Sequence, residues 1–104
     1  MMVQKVKLGE IYTLKLITGE EVITRLSEDN AFTYTVYKPL VLSVTATGVA
    51  MTPFLFTAEI DGNIDIPKTA VIAVARTDKS TAGQYIKGTT NIQPASTNSL
   101  GRLI

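Results

Sequence analysis

The stretch IYTLKLITGEEVITRLSEDNAFTY, residues 11–34, contains two alternating segments separated by a short turn. In the first segment, apolar side chains occupy every second position from Tyr12 to Leu16, which is typical of a half-buried strand. The turn contains Gly19, which is free to adopt a positive φ. The second segment, Glu21–Leu26, alternates again. This pattern predicts two consecutive β-strands joined by a tight turn.

Further extended segments follow along the chain, separated by turn signals. They are Phe32–Val36, which continues as Leu40–Thr47, and then Val49–Ile60 and Ala70–Ala75. Pro39 interrupts the third segment and predicts an edge, a bulge or a sharp bend. Residues 61–63 predict a turn, and Ile66–Thr69 predicts one short helical turn. Five extended segments with short turns predict an all-β fold, namely a small, strongly bent antiparallel barrel of SH3-like, OB-like or Sm-like type.

The pattern weakens after Arg76. Residues 80–87 predict two turns of helix, with Ser80 or Thr81 as the N-cap and Gly88 at the end. Residues 89–104 are polar and predict a loose C-terminal tail. We therefore expect one domain over residues 1–88 and a tail over residues 89–104.

The composition excludes several kinds of chemistry. The 104 residues include no Cys, His or Trp, and ten basic against nine acidic side chains give a net charge of +1. The chain therefore has no disulfide, no thiolate nucleophile and no zinc site of the Cys type. It also has no imidazole to act as a general base near neutral pH. We expect no catalytic residues, no bound metal and no cofactor, and hence not an enzyme.

The first ten residues have no apolar core of a signal peptide, and no apolar run reaches the length of a membrane span. We therefore expect a cytoplasmic protein without a membrane partner.

The first half of the chain contains a short sequence motif. Leu14 and Leu16 lie in a strand that ends before Gly19, and after a second strand Asn30 is followed two places later by Phe32. This order resembles the first motif of the Sm/LSm family, including its Hfq-like bacterial branch. Asn30 stands where the family has an Asp, and Phe32 stands where its base-stacking residue lies.

A second motif of the family has weaker counterparts. Ile60–Asn63 resembles the Ile-Arg-Gly-Asp of Sm proteins, and Lys68–Val71 resembles the Lys-His-Ala-Ile of the bacterial branch. The chain also departs from the family. Thr24 replaces a small residue at the bend of the second strand, and Tyr34 replaces an Asn that reads uracil. Asp61 replaces an Arg that packs beside the base.

The resemblance implies a homo-oligomer. In the family, the fourth strand of one copy pairs with the fifth strand of the next and closes a ring of about five to seven chains. Ala70–Ala75 is short and apolar, and an open edge of this kind invites pairing. The alternative is that Ala70–Ala75 is an internal strand of a monomer, buried on both faces.

The resemblance also implies a ligand, RNA or single-stranded DNA. We predict that Phe32 stacks on a base and that Asn30 hydrogen-bonds a base edge. Lys68 and Arg76 flank the fifth predicted strand and are expected to reach phosphate.

The same residues also admit a structural interpretation. Phe32 and Tyr34 are equally suited to fill the core, and Arg76 to pair with Asp78 or Asp65. The leading hypothesis is an Sm-like ring that binds single-stranded nucleic acid and acts in RNA or DNA processing. The alternative is a structural or protein-interaction module without nucleic-acid binding, which the nearly neutral charge favours. A small enzyme is the third possibility.

Overall fold

Six strands and one helix make up the part of the chain described by the structure, a computed structural model that covers residues 6–59 and 61–90. The strands are β1 (Ile11–Leu16), β2 (Glu21–Asp29), β3 (Thr33–Thr45), β4 (Gly48–Pro53), β5 (Asn63–Pro67) and β6 (Val71–Arg76). A 3₁₀ turn, Lys68–Ala70, lies between β5 and β6, and α1 (Lys79–Thr90) follows. The described chain is thus mostly β with one short C-terminal helix, as the sequence predicts.

The strands form one antiparallel sheet in the order β4-β3-β2-β1-β6, and β5 pairs with β3. β5 and β4 share one edge of β3: β5 pairs with residues 33–37 and β4 with residues 40–45. The other edge of β3 pairs with β2. Within the described residues no ladder joins β6 to β4 or β5, so the sheet is not closed into a barrel.

The strand count differs from the sequence prediction at one place. In the described part of the predicted segment Val49–Ile60, the strand ends at Pro53 and bends follow from Phe54, while Ile60 lies outside the described residues. The sixth strand, Asn63–Pro67, falls where the sequence predicts a turn and the start of a helical turn. This strand is short, and Ile66 is its one buried residue. The alternation of apolar and polar side chains over five residues is therefore too weak to predict a strand. The predicted helical turn itself is present as the 3₁₀ turn at Lys68.

The long strand β3 bends sharply between its two halves. Lys38 has a φ of 51°, in the left-handed region that side chains other than glycine rarely adopt. Pro39 follows, and it has no backbone N–H to donate. It lies between the residues of β3 that pair with β5 and those that pair with β4. Opposite this point, the register of β2 against β3 shifts at Thr24. Pro39 therefore lies at an irregularity of the ladder, where the sequence predicts an edge, a bulge or a sharp bend.

Two buried hydroxyl groups hold the bend. The Thr24 hydroxyl donates to the carbonyl oxygen of Tyr37 at 2.9 Å. The Tyr85 hydroxyl lies 2.8 Å from the same oxygen and 2.9 Å from the carbonyl oxygen of Lys38. Both side chains are fully buried, and burial raises the pKa of Tyr85 above its ordinary value. The bend thus exposes carbonyl groups inside the protein, and these hydroxyls satisfy them.

The main core lies on one face of the sheet. Its buried members are Tyr12, Leu14, Leu16, Val22, Leu26, Val36 and Ile66. The alternation of β1 is confirmed, since every second residue from Tyr12 to Leu16 is buried. Ile23 is buried outside this cluster, because successive side chains of a strand point to opposite faces. The helix α1 contacts β2 and contributes the buried Tyr85.

The helix α1 is longer than predicted and begins differently. Asp78 caps it, accepting hydrogen bonds from the backbone N–H of Thr81 at 2.9 Å and from the Thr81 hydroxyl at 3.0 Å. The predicted caps at Ser80 or Thr81 are therefore wrong. The backbone hydrogen bond from Thr81 lowers the pKa of Asp78. Gly88 lies inside the helix.

The predicted tail, residues 89–104, begins inside this helix. Thr89 is buried there, and residues 91–104 lie outside the described residues. No helix in residues 6–59 and 61–90 is both long enough and apolar enough to cross a lipid bilayer.

The hydroxyls at the bend predict a measurable loss of stability. We expect Tyr85→Phe and Thr24→Val each to lower the free energy of unfolding by about 1–3 kcal/mol, because buried carbonyl groups lose a donor. Urea unfolding followed by circular dichroism measures this change. The urea concentration at the unfolding midpoint should fall, and the slope of the unfolding free energy against urea concentration should stay the same. The control is Tyr37→Phe, since the Tyr37 hydroxyl makes no hydrogen bond within the described residues. Equal midpoints for Tyr85→Phe and Tyr37→Phe would contradict this account.

Candidate nucleic-acid interface

Phe32 lies in the short loop between β2 and β3 and points into solvent. Its side chain is 83% exposed, so the alternative prediction that it fills the core is wrong. Two backbone hydrogen bonds fix the loop: the N–H of Asn30 donates to the carbonyl of Thr33 at 2.9 Å, and the N–H of Lys68 donates to the carbonyl of Phe32 at 2.8 Å. The structure thus holds a large aromatic ring in solvent on a fixed backbone.

The ammonium group of Lys68 lies beside this loop. Its Nζ is 2.5 Å from Oδ1 of Asp29 and 4.7 Å from the centre of the Tyr34 ring. The hydrogen bond that Lys68 donates to Asp29 raises the pKa of Lys68 above its ordinary value. Tyr34 itself is partly buried and packs against the core, which agrees with its structural interpretation. Lys68 therefore stands next to Phe32 with its charge partly balanced by a carboxylate.

Asn30 is held by a chain of hydrogen bonds. Its amide Nδ2 lies 3.3 Å from the Thr33 hydroxyl and 3.2 Å from the Thr35 hydroxyl. The Thr35 hydroxyl in turn donates to Oδ1 of Asp65 at 2.6 Å. Thr35 is buried, and Asp65 lies opposite it on β5. The Asn30 side chain is thus oriented by two neighbouring strands.

Arg76 lies away from the other three predicted residues. It is at the opposite end of β6, about 16 Å along the strand from its start. Its guanidinium Nη2 is 3.4 Å from Oε1 of Glu10, so the predicted pairing with Asp78 or Asp65 is wrong. The structure brings Asn30, Phe32 and Lys68 together and leaves Arg76 outside this group.

The strand β6 is an edge strand. It pairs only with β1 within the described residues. Ile72 is 62% exposed, and Ala73 and Ala75 are exposed as well. The alternative prediction of a strand buried on both faces is therefore wrong.

An uncharged stretch forms the opposite end of the sheet. Residues 40–58 contain no Asp, Glu, Lys or Arg, and they include the second half of β3 and all of β4. Val44, Val49 and Phe56 in this stretch are exposed. A cavity of about 130 Å³ lies beside Phe56, lined mainly by apolar side chains. Exposed apolar groups without interspersed charge are typical of a contact surface.

Sequence reasoning missed three residues that organise the loop, namely Asp29, Thr35 and Asp65. The sequence predicts an acidic, solvated turn at Asp29, which instead ends β2, and its partner Lys68 is 39 positions away. Thr35 and Asp65 are 30 positions apart. Only the pairing of β3 with β5 brings them together, and the sequence signal for β5 is weak.

Residues 6–59 and 61–90 hold no group of three acidic side chains close enough to share a metal ion. A comparison with models of known protein families finds no match, and a comparison with curated proteins finds no significant match.

The Lys68–Asp29 pair gives a testable titration. We expect Asp29→Asn to lower the pKa of Lys68, because the mutation removes the carboxylate that stabilises the ammonium form. Proton and carbon NMR of the Lys68 side chain through an alkaline titration measures it. Glu28→Gln is the matched control, since Glu28 is the neighbouring acid and makes no ion pair within the described residues. An unchanged titration in Asp29→Asn would contradict the assignment.

The pH dependence of stability follows from the same shift in the pKa of Lys68. Folding raises the pKa of Lys68 above its ordinary value of 10.5. Its contribution to stability is therefore complete below that value and is lost as the pH rises through the folded pKa.

Proposed function

We propose that this chain binds single-stranded nucleic acid, RNA or DNA, at the loop that carries Phe32, and that several copies assemble through their sheet edges. The single observation that carries the proposal is the Phe32 ring, exposed on a backbone that hydrogen bonds fix at Asn30 and Lys68. A water-exposed phenyl ring gains contact area when a base stacks on it. Each stacked base contributes about 1–3 kcal/mol and the interaction tolerates any sequence.

The surroundings of Phe32 supply the remaining contacts. Lys68 offers an ammonium group for phosphate, and Asn30 offers a side-chain amide for a base edge. Asp29 balances the charge of Lys68, so stacking contributes more to affinity than phosphate contacts do. A single loop therefore binds weakly, and the affinity rises when several loops bind the same nucleic-acid strand.

The sheet edges support assembly of this kind. The outer edges of β4 and β6 are unpaired within the described residues, and each strand has six residues. Neither β4 nor the segment Val71–Ala75 carries a charge that would oppose pairing. A contact between two different edges is head-to-tail and closes into a ring when its rotation permits. We propose a homo-oligomeric ring of about five to seven copies, the number that the Sm/LSm resemblance implies.

A second candidate function is a protein-interaction module without nucleic acid. The observation that favours it is the uncharged stretch of residues 40–58 with its exposed apolar side chains. The cavity beside Phe56 is large enough for one apolar side chain of a partner protein.

The binding proposal predicts different effects for two exposed phenylalanines. We expect Phe32→Ala to weaken the binding of a labelled single-stranded octanucleotide about fivefold to a hundredfold, because it removes the stacking ring. Phe56→Ala is the matched control, since Phe56 is similarly exposed on another loop. The Phe56→Ala variant should bind the octanucleotide with the affinity of the wild-type protein. Fluorescence anisotropy at low and moderate salt measures both. Equal losses in the two variants, or no binding by the wild-type protein, would refute the proposal.

The assembly proposal predicts a change of mass. We expect the wild-type protein to form a closed oligomer after nuclease treatment, and Ile72→Lys to shift it to the monomer, because a charge on the β6 edge opposes pairing. Ile86→Lys is the control, since Ile86 is an exposed apolar residue on α1 rather than on an edge. Native mass spectrometry at micromolar concentration distinguishes these states. A monomeric wild-type protein would refute the ring.

A further inference from the structure

The hydrogen bonds around Asn30 fix which end of its side-chain amide faces outward. The Thr35 hydroxyl lies 2.6 Å from the Asp65 carboxylate, and an ionised carboxylate only accepts hydrogen bonds. The single hydroxyl proton of Thr35 is therefore used by Asp65. Thr35 Oγ1 then accepts its second hydrogen bond, from Asn30 at 3.2 Å, and only the amide nitrogen of Asn30 is able to donate it.

The second amide proton of Asn30 is used in a similar way. Nδ2 lies 3.3 Å from the Thr33 hydroxyl, which provides an acceptor. Both donors of the amide are thus directed at β3. The carbonyl oxygen Oδ1 has no hydrogen-bond partner within the described residues, and Asn30 is exposed to solvent. Toward a ligand, Asn30 therefore presents an acceptor and no donor.

We infer that this loop prefers bases with an exocyclic amino group, such as cytosine and adenine, over uracil. The inference rests on the proposed function. Cytosine and uracil stack similarly, but cytosine carries an amino donor at position 4 where uracil carries a carbonyl acceptor. An acceptor from Asn30 hydrogen-bonds the amino group and repels the carbonyl group. Glu28 and Asp65 lie opposite Thr35 on the two neighbouring strands, and of these two acids only Asp65 shares a hydrogen bond with Thr35.

Asp65 is a positioning residue in this arrangement, because it acts on the base only through Thr35 and Asn30. The substitution Asp65→Asn supplies an amide that donates as well as accepts. The proton of Thr35 then loses its fixed direction, and the Asn30 amide is free to turn over. Asp65 is exposed, so Asp65→Asn disturbs the fold little.

The test compares labelled octamers of cytidine, of uridine and of ribosyl 2-pyrimidinone, which has neither an amino nor a carbonyl group at position 4. We expect cytidine to bind about threefold to tenfold more tightly than uridine, the factor that one net hydrogen bond supplies, with the third octamer in between. In Asp65→Asn and Thr35→Val the ratio of the two affinities should fall to about one, while Thr35→Ser should restore it. Glu28→Gln, which removes a neighbouring negative charge outside this chain of hydrogen bonds, should retain the ratio.

The outcomes separate this inference from the proposed function. Wild-type protein that binds cytidine and uridine octamers equally, or uridine more tightly, overturns the preference and leaves nucleic-acid binding intact. A preference that persists unchanged in Asp65→Asn and Thr35→Val overturns the role of the hydrogen bonds. Binding of none of the three octamers refutes the proposed function, and the inference falls with it.

Discussion

The bend of β3 at Tyr37, Lys38 and Pro39 is the constraint on which the rest of the structure depends. It divides one edge of β3 between two partner strands, because pairing with β5 stops where pairing with β4 begins. The left-handed backbone of Lys38 costs about 1–3 kcal/mol. Buried hydroxyls of Thr24 and Tyr85 offset this cost, because they satisfy carbonyl groups that the bend removes from the ladders. The helix α1 is thus part of the support of the sheet.

The same bend places the candidate interface. It aligns the first half of β3 with β5, so that the 3₁₀ turn after β5 meets the loop before β3. The backbone N–H of Lys68 then holds the carbonyl of Phe32, and the Lys68 ammonium reaches Asp29. These hydrogen bonds hold the backbone of the loop, whereas the exposed Phe32 ring gains no burial in the free protein. The fixed backbone preorganises the loop for the stacking that we propose.

The distribution of charge divides the molecule into two kinds of surface. Charged and amide side chains surround Phe32, whereas residues 40–58 carry no charge and expose apolar side chains at the other end of the sheet. Open strand edges without charge are a liability for a monomer, since they pair with other chains. The proposed pairing between copies removes that liability and repeats the Phe32 loop at regular intervals. The two proposed properties, assembly and weak repeated binding, therefore support each other physically.

The sequence alone determined the features that depend on neighbouring residues. The alternation of β1, the turn at Gly19 with its φ of 108°, and the bend at Pro39 are all local, and all are present in the structure. Tertiary structure decided the rest. The strand β5, the pair of Lys68 with Asp29 and the partner of Arg76 depend on residues that are distant in the chain. Their energies come from cross-strand contacts whose register no local pattern specifies, so only the folded sheet determines which polar groups meet.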